Sequence, residues 1–379
     1  MSRAIAAPDP APDPAPASLR ARAIEALLVG GGTLVLFPLA WLLRAAVGLD
    51  DAEFAAGFLT FHLAFVLNDP HFTVTYLLFY RRAWRLARDP GTSLAQRARV
   101  VVAGFVAPLL LVGWAGAAVA LRNAELLGAI VQLMYLAVGW HYVKQGFGVL
   151  AVISARRGVV LSARERWVIV AHCLAGWVFA WANPAMPGGE FEEKGVVYHA
   201  IARPRWLEIA AGSVLAATTI ALVVVVATAR RREGRWIPFG PLAATIVTVW
   251  LWTIFSAVDP VMRYVVPALH SVQYLYFVWL LRRNEARAHE GPPDFGRPAA
   301  VRVGALAVSA IGLGWVVLHG VPGVLDALFV PRGRAAVASA LGPTPFFAAI
   351  YVVVNLHHYL MDHAIWRRDH PDARWLREA

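Results

Sequence analysis

The residues of this 379-residue chain most able to do chemistry are its twelve histidines, most of which stand inside long apolar runs. One run reads FHLAFVLNDPHFTVTYLLFYRR, with His62 and His71. Another reads YLAVGWHYVKQGFG, with His141, and a third VPALHSVQYLYFVW, with His270. The last, VNLHHYLMDHAIWRR, holds His357, His358 and His363. His172 is a further candidate, whereas His199, His289 and His370 fall in linkers or the C-terminal segment and His319 near the end of an apolar run, and these four read as solvated or interfacial. Neutral imidazoles gathered at one point are ligands for Fe, Zn, Cu or Ni. Cys173 is the only cysteine, so thiolate sites and an intrachain disulfide are excluded.

Spacing narrows the set. His71, His141, His270 and His358 each precede an arginine cluster by nine to fifteen residues, about 14–22 Å along a helix. If their helices run in the same direction, the four imidazoles lie in one layer, the arrangement by which helix bundles build metal sites. His357 and His358 diverge by about 100°, so only one of them can ligate. His62 is nine residues from His71 and faces elsewhere. Gln145, Gln273, Tyr274 and Asp362 lie three or four residues from a candidate ligand and are placed to orient it. Lys144 needs a partner if it is buried in an apolar run, and Asp69 is a possible one.

The elements that must position these side chains are transmembrane helices. Hydrophobic residues make up 59% of the chain, charged residues 16%, and the mean hydropathy is +0.57, against about 25% charged in a soluble domain. Ten spans of about twenty residues are predicted, at 24–47, 53–80, 99–121, 126–154, 167–182, 206–229, 237–257, 261–281, 300–320 and 340–366. The second contains Asn68-Asp69-Pro70, which would divide it into two half-helices or kink it. Alternate linkers, with the two ends, hold 26 of the 33 arginines. That alternation puts both termini in the cytoplasm and runs the even spans, which carry the main histidines, in one direction. The net charge of +11 is therefore distributed as membrane topology requires, and no patch for nucleic acid is present. The fold class is an all-α polytopic transmembrane bundle, a single domain over residues 21–367. An Ala/Pro-rich disordered tail precedes it at 1–20, and a cytoplasmic tail follows at 368–379.

The order of the histidine motifs resembles the bacterial Brp/Blh family of β-carotene-cleaving dioxygenases, multi-span proteins with His-ligated non-haem iron. Pro70-His71-Phe72 is similar to the family's first motif, and His141-Tyr142 stands where the second has His-Phe-Gly. His270-Ser271, followed by Phe277-Val278-Trp279, is similar to the third, and His358 with Asp362 to the last. Departures are Thr75 near the family's Asp after the first His, Lys144-Gln145 around the second motif's Asp, and Tyr274 in place of a second His in the third. The resemblance implies an oxygenase of the bacterial inner membrane using Fe(II) on a carotenoid, another isoprenoid or a lipid. Zn or another divalent metal remains open.

These readings give His71, His141, His270 and His358, with His357 as the alternative to its neighbour, as metal ligands. Asp362, Gln145 and Asp69 are the supporting residues, and Tyr274 and Lys144 the candidate catalytic side chains. Partners are a lipophilic small molecule and the bilayer. The competing reading is a transporter or proton-coupled carrier using Asp69, Lys144 and the histidines as its path.

Overall fold

The computed structural model describes residues 19–183, 188–234, 237, 239–331 and 340–376. The tail expected at 1–20 lies outside them except for Leu19 and Arg20, which open the first helix.

The chain forms helices α1 (Leu19–Val47), α2 (Leu49–Ala64), α3 (Asn68–Arg88), α4 (Leu94–Ala120), α5 (Ala124–Arg156) and α6 (Ala163–Ala182). A hairpin of β1 (Gly189–Glu193) and β2 (Val196–Ala200) follows. Then come α7 (Arg205–Glu233), α8 (Gly240–Ala257), α9 (Pro260–Ala288), α10 (Ala299–Phe329) and α11 (Pro345–Ile365), and the 3₁₀ turn Pro371–Leu376 closes the described chain. Seven helices (α1, α4, α5, α7, α8, α9 and α10) are long and apolar enough to cross a membrane. Their outward faces carry large exposed apolar side chains, such as Leu109, Leu110, Ile220, Val223 and Val308, as lipid-facing surfaces do. The protein is a multi-pass membrane helix bundle.

Helix starts follow local chemistry. Ser93, Asn123 and Asp259 accept from backbone amides at the starts of α4, α5 and α9, and Ser162 with Glu165 forms a capping box on α6. The predicted second span is two helices. The chain turns at Phe65–Leu67, and α3 begins at Asn68, so the N-terminus of α3 lies inside the bundle beside Ser271 of α9. α5 is the central helix, packed on α4, α6, α8, α11 and β2 and buried along Leu127, Ile130, Val131 and Met134. Small residues allow close approach. A Cβ on Gly146 would lie 2.8 Å from Thr248 of α8, and one on Gly314 of α10 would lie 2.9 Å from Asp69.

The linker after α6, mixed in composition and rich in turn residues, holds an antiparallel hairpin with Glu193 opposite Val196. Its two-residue turn places Lys194 at φ 53° and Gly195 at φ 82°, the left-handed pair that a tight hairpin needs. Val196 and Tyr198 are buried, and Val197 N–H donates to Ala340 at 2.8 Å. The hairpin is therefore docked in the bundle. At the other end, residues 371–376 pack on the bundle. Trp375 and Leu376 pack with Leu280 and Leu281 of α9, and Asp372 is 2.9 Å from Arg82 and 3.2 Å from Arg81 of α3.

Candidate metal centre

Four helices deliver one imidazole each to a common point. His71 comes from α3, His141 from α5, His270 from α9 and His358 from α11. One ring nitrogen from each falls within 4.8 Å of all the others, and all four residues are buried. Metal–nitrogen bonds of about 2.1 Å require ligand separations between about 3.0 Å (octahedral, adjacent) and 4.2 Å (opposite). The Nε2 atoms of His141 and His270 are 3.0 Å apart, the edge of such a polyhedron. Little contraction is needed to hold an ion.

Hydrogen bonding orients the His71 ring without consuming its inner nitrogen. Ser271 Oγ lies 2.8 Å from the Pro267 carbonyl and 3.0 Å from Asn68 Oδ1, either of which takes its single proton, and 3.1 Å from His71 Nδ1. The serine oxygen then accepts from His71 Nδ1–H, and this leaves a lone pair on Nε2. His71 Nε2 makes no hydrogen bond, nor does either nitrogen of His358. Buried polar atoms left in this state cost about 1–3 kcal/mol each. A cation at their convergence satisfies the inward-facing ones together, so the donor set fits a borderline divalent metal. Aromatic rings brace the imidazoles: Tyr359 stacks on His141 at 4.6 Å between centroids, and Tyr142 lies 4.5 Å from His270.

His357, proposed as the alternative ligand, is turned away. Its Nδ1 is 3.0 Å from Tyr76 Oη and its Nε2 2.9 Å from the Ala103 carbonyl, so both nitrogens are in use. His357→Ala should leave bound metal unchanged and lower stability by about 2 kcal/mol, the worth of two buried hydrogen bonds. Metal analysis and thermal melting of the variant check both halves.

The other expected residues divide. Asp362 reaches the cluster: Oδ2 is 3.4 Å from His358 Nε2 and 3.8 Å from His141 Nε2. Tyr274 does not face an open coordination position. Its hydroxyl donates to Asp362 Oδ1 at 2.7 Å and lies 2.6 Å from Thr75 Oγ1. Gln145 does not orient His141; its amide donates to Gln273 Oε1 at 2.7 Å and to the His270 carbonyl at 3.4 Å. Lys144 and Asp69 do not meet. Lys144 hydrogen-bonds His363 and lies 4.5 Å from the Trp140 ring centre, whereas Asp69 Oδ2 is 2.8 Å from His319 Nε2. His172 contacts Thr218 of α7 at 3.4 Å, and His62 hydrogen-bonds the Phe58 carbonyl of its own helix, so neither joins the cluster.

A cavity of about 1610 Å³ leads to the centre. His71 and His270 stand on its wall with Tyr142 and Tyr359, and it extends to the hairpin at Glu193 and Lys194. Asp362 and Tyr274 are not among the residues lining it. Asp69 and His319 also line it. His319 is the functional candidate that sequence position hides. It lies near the end of an apolar run, yet the wide turn Val316–Gly320 in α10 places it against Asp69 and stacks it on Phe65. The intramembrane Asp69, which needs a partner, was the available signal.

Comparison of the chain with protein-family models, curated proteins and solved structures returns no match.

Proposed function

We propose that this chain is an integral membrane enzyme in which His71, His141, His270 and His358 hold one divalent metal. The ion is iron(II), and the reaction is an oxygenation of a hydrophobic substrate such as a carotenoid, another isoprenoid or a lipid. The observation that carries the reading is the convergence of four buried imidazoles from four helices, whose inward nitrogens either meet one another (His141 and His270 Nε2) or have no hydrogen-bond partner (His71 and His358 Nε2). A carrier needs polar groups along a path but has no need of four neutral nitrogens at one point.

Iron bound to neutral nitrogen ligands with an open position supplies the means to activate dioxygen. The chain's own residues supply the rest. Ser271 fixes the tautomer of His71. Tyr142 and Tyr359 hold the rings of His270 and His141 in place and form the cavity wall beside them. The cavity, lined largely by aromatic and aliphatic side chains, takes an extended apolar molecule up to His71 and His270. Asp69 and His319 place a polar pair on the same wall.

In this reading the chain crosses a bacterial inner membrane ten times, with α2 and α3 together making one crossing and both termini in the cytoplasm. The arginine-rich linkers then lie on the cytoplasmic side and the hairpin on the outer side, so the substrate enters from the outer half of the bilayer.

Metal analysis of the detergent-purified protein tests the centre. About one transition-metal ion per chain is expected, and substoichiometric metal after anaerobic loading would overturn the reading. Expression in a carotenoid-accumulating bacterial host tests the substrate. Bleached pigment supports a carotenoid, and unchanged pigment removes carotenoids in favour of other isoprenoids or lipids. Uptake of solute into proteoliposomes without product formation would replace the enzyme by a carrier.

A further inference from the structure

We infer that Asp362, through Oδ2, is a fifth ligand and the only anionic one to the ion held by the four histidines. This rests on the metal reading above and goes beyond it. The centre becomes a four-histidine, one-carboxylate set whose remaining position faces the cavity between His71 and His270.

The side of the imidazole that Asp362 meets carries the argument. A carboxylate that merely orients a metal-bound histidine accepts from the outer ring nitrogen, remote from the ion. Asp362 does the reverse. Its Oδ2 lies 3.4 Å from Nε2 of His358 and 3.8 Å from Nε2 of His141, the latter being the atom 3.0 Å from His270 Nε2. The outer nitrogen of His358, Nδ1, has no hydrogen-bond partner. Oδ2 therefore belongs to the ligand side of the cluster, at separations close to the edges expected of a coordination polyhedron. The i, i+4 spacing of His358 and Asp362 puts both on one face of α11.

The other carboxylate oxygen is fixed. Oδ1 accepts from Tyr274 Oη at 2.7 Å and from Trp366 Nε1 at 3.2 Å, and Tyr274 is held by Thr75 at 2.6 Å. These donors fix the rotation of the carboxylate and leave the Oδ2 lone pairs for the ion. Charge points the same way. A dication among four neutral imidazoles in a buried, low-dielectric site carries two uncompensated charges, and one carboxylate removes one of them. The placement also explains why Tyr274 lies off the cavity: it positions Asp362 and does not touch substrate.

The test uses the full-length protein in detergent as wild type, Asp362→Asn, Asp362→Ala and Tyr274→Phe, each loaded with Co(II). Wild type should bind Co(II) with the weak visible bands of five or six ligands. Asp362→Asn and Asp362→Ala should bind it more than about 100-fold more weakly, beyond the roughly 10–100-fold cost of losing an outer partner. Any Co(II) they retain should show stronger, lower-coordinate bands. Tyr274→Phe should keep the wild-type spectrum, with at most the smaller loss of affinity. Folding is controlled within wild type: protein labelled with [4-¹³C]aspartate should show a metal-induced shift of one carboxylate stretch. No shifted carboxylate band, or a Co(II) spectrum unchanged in Asp362→Asn, overturns the fifth ligand while leaving the four-histidine centre in place. Failure of wild type to bind Co(II) or iron at all removes the centre itself.

Discussion

Replacing His141 and His270 together by alanine should reduce bound metal from about one ion per chain to background. The two residues supply a pair of ring nitrogens 3.0 Å apart, from two different helices. Removing both leaves His71 and His358, whose rings are 4.4 Å apart, with Asp362 beside them, and losing two of five donors lets a strong chelator take the ion. The fold should survive. The substitutions leave a cavity between α5 and α9, a cost, but they also remove buried ring nitrogens, one of which, His270 Nδ1, has no hydrogen-bond partner. Metal analysis after chelator treatment, alongside the melting temperature with and without added metal, reads both effects. A melting temperature that rises with metal in wild type and not in the double variant is the expected signature. Full metal occupancy in the double variant would show that the four rings are a packing motif.

Glu285→Ala should be among the most destabilising single substitutions outside the metal centre. The Glu285 carboxylate is buried near the C-terminal end of α9 and accepts from Arg81 at 2.8 Å, with Arg282 bonded to it and Arg82 at 3.9 Å. Asp372 of the final turn is the second anion of the cluster. Removing Glu285 leaves Arg282 without its carboxylate and Arg81 and Arg82 with Asp372 alone. Losing one partner of a buried ion pair costs about 3–5 kcal/mol. The lower end applies here, because Arg81 and Arg82 are partly exposed. The melting temperature should fall by several degrees with metal content unchanged at low temperature. A change within the noise would mean that the arginines are solvated and the turn is held by its apolar residues alone. Asp372→Asn should act in the same direction, and the double variant should lose less than the sum because the two acids share their arginines.

The site made part of the fold harder to read by composition. Among the four helices that carry the clustered histidines, α5 and α9 are apolar enough to count as spans on their own, whereas α3 and α11 are not. α3 opens on Asn68 and Asp69 and ends on four arginines, and α11 carries Asn355, His357, His358, Asp362 and His363. Polar residues brought into a bundle for function lower the hydropathy of the helices that bear them. Those helices were recognisable instead by their histidines and by the arginines that follow.

The sequence by itself determined the helical, lipid-facing character of the chain, because composition and the 20-residue length of apolar runs respond directly to the bilayer. It also singled out His71, His141, His270 and His358, because distance from an arginine cluster measures depth along a helix axis. Rotation about each axis, and the neighbour it meets, were decided by tertiary structure alone. Packing of α11 on α3 and α5 turns His358 inward and gives both nitrogens of its neighbour His357 to Tyr76 and Ala103. The same packing faces Asp362 toward the ring nitrogens and gives Lys144 to His363, while packing of α10 on α3 gives Asp69 to His319. A side chain's depth is a local, one-dimensional property of its helix. Its partner depends on how several helices, distant in sequence, share a common interior.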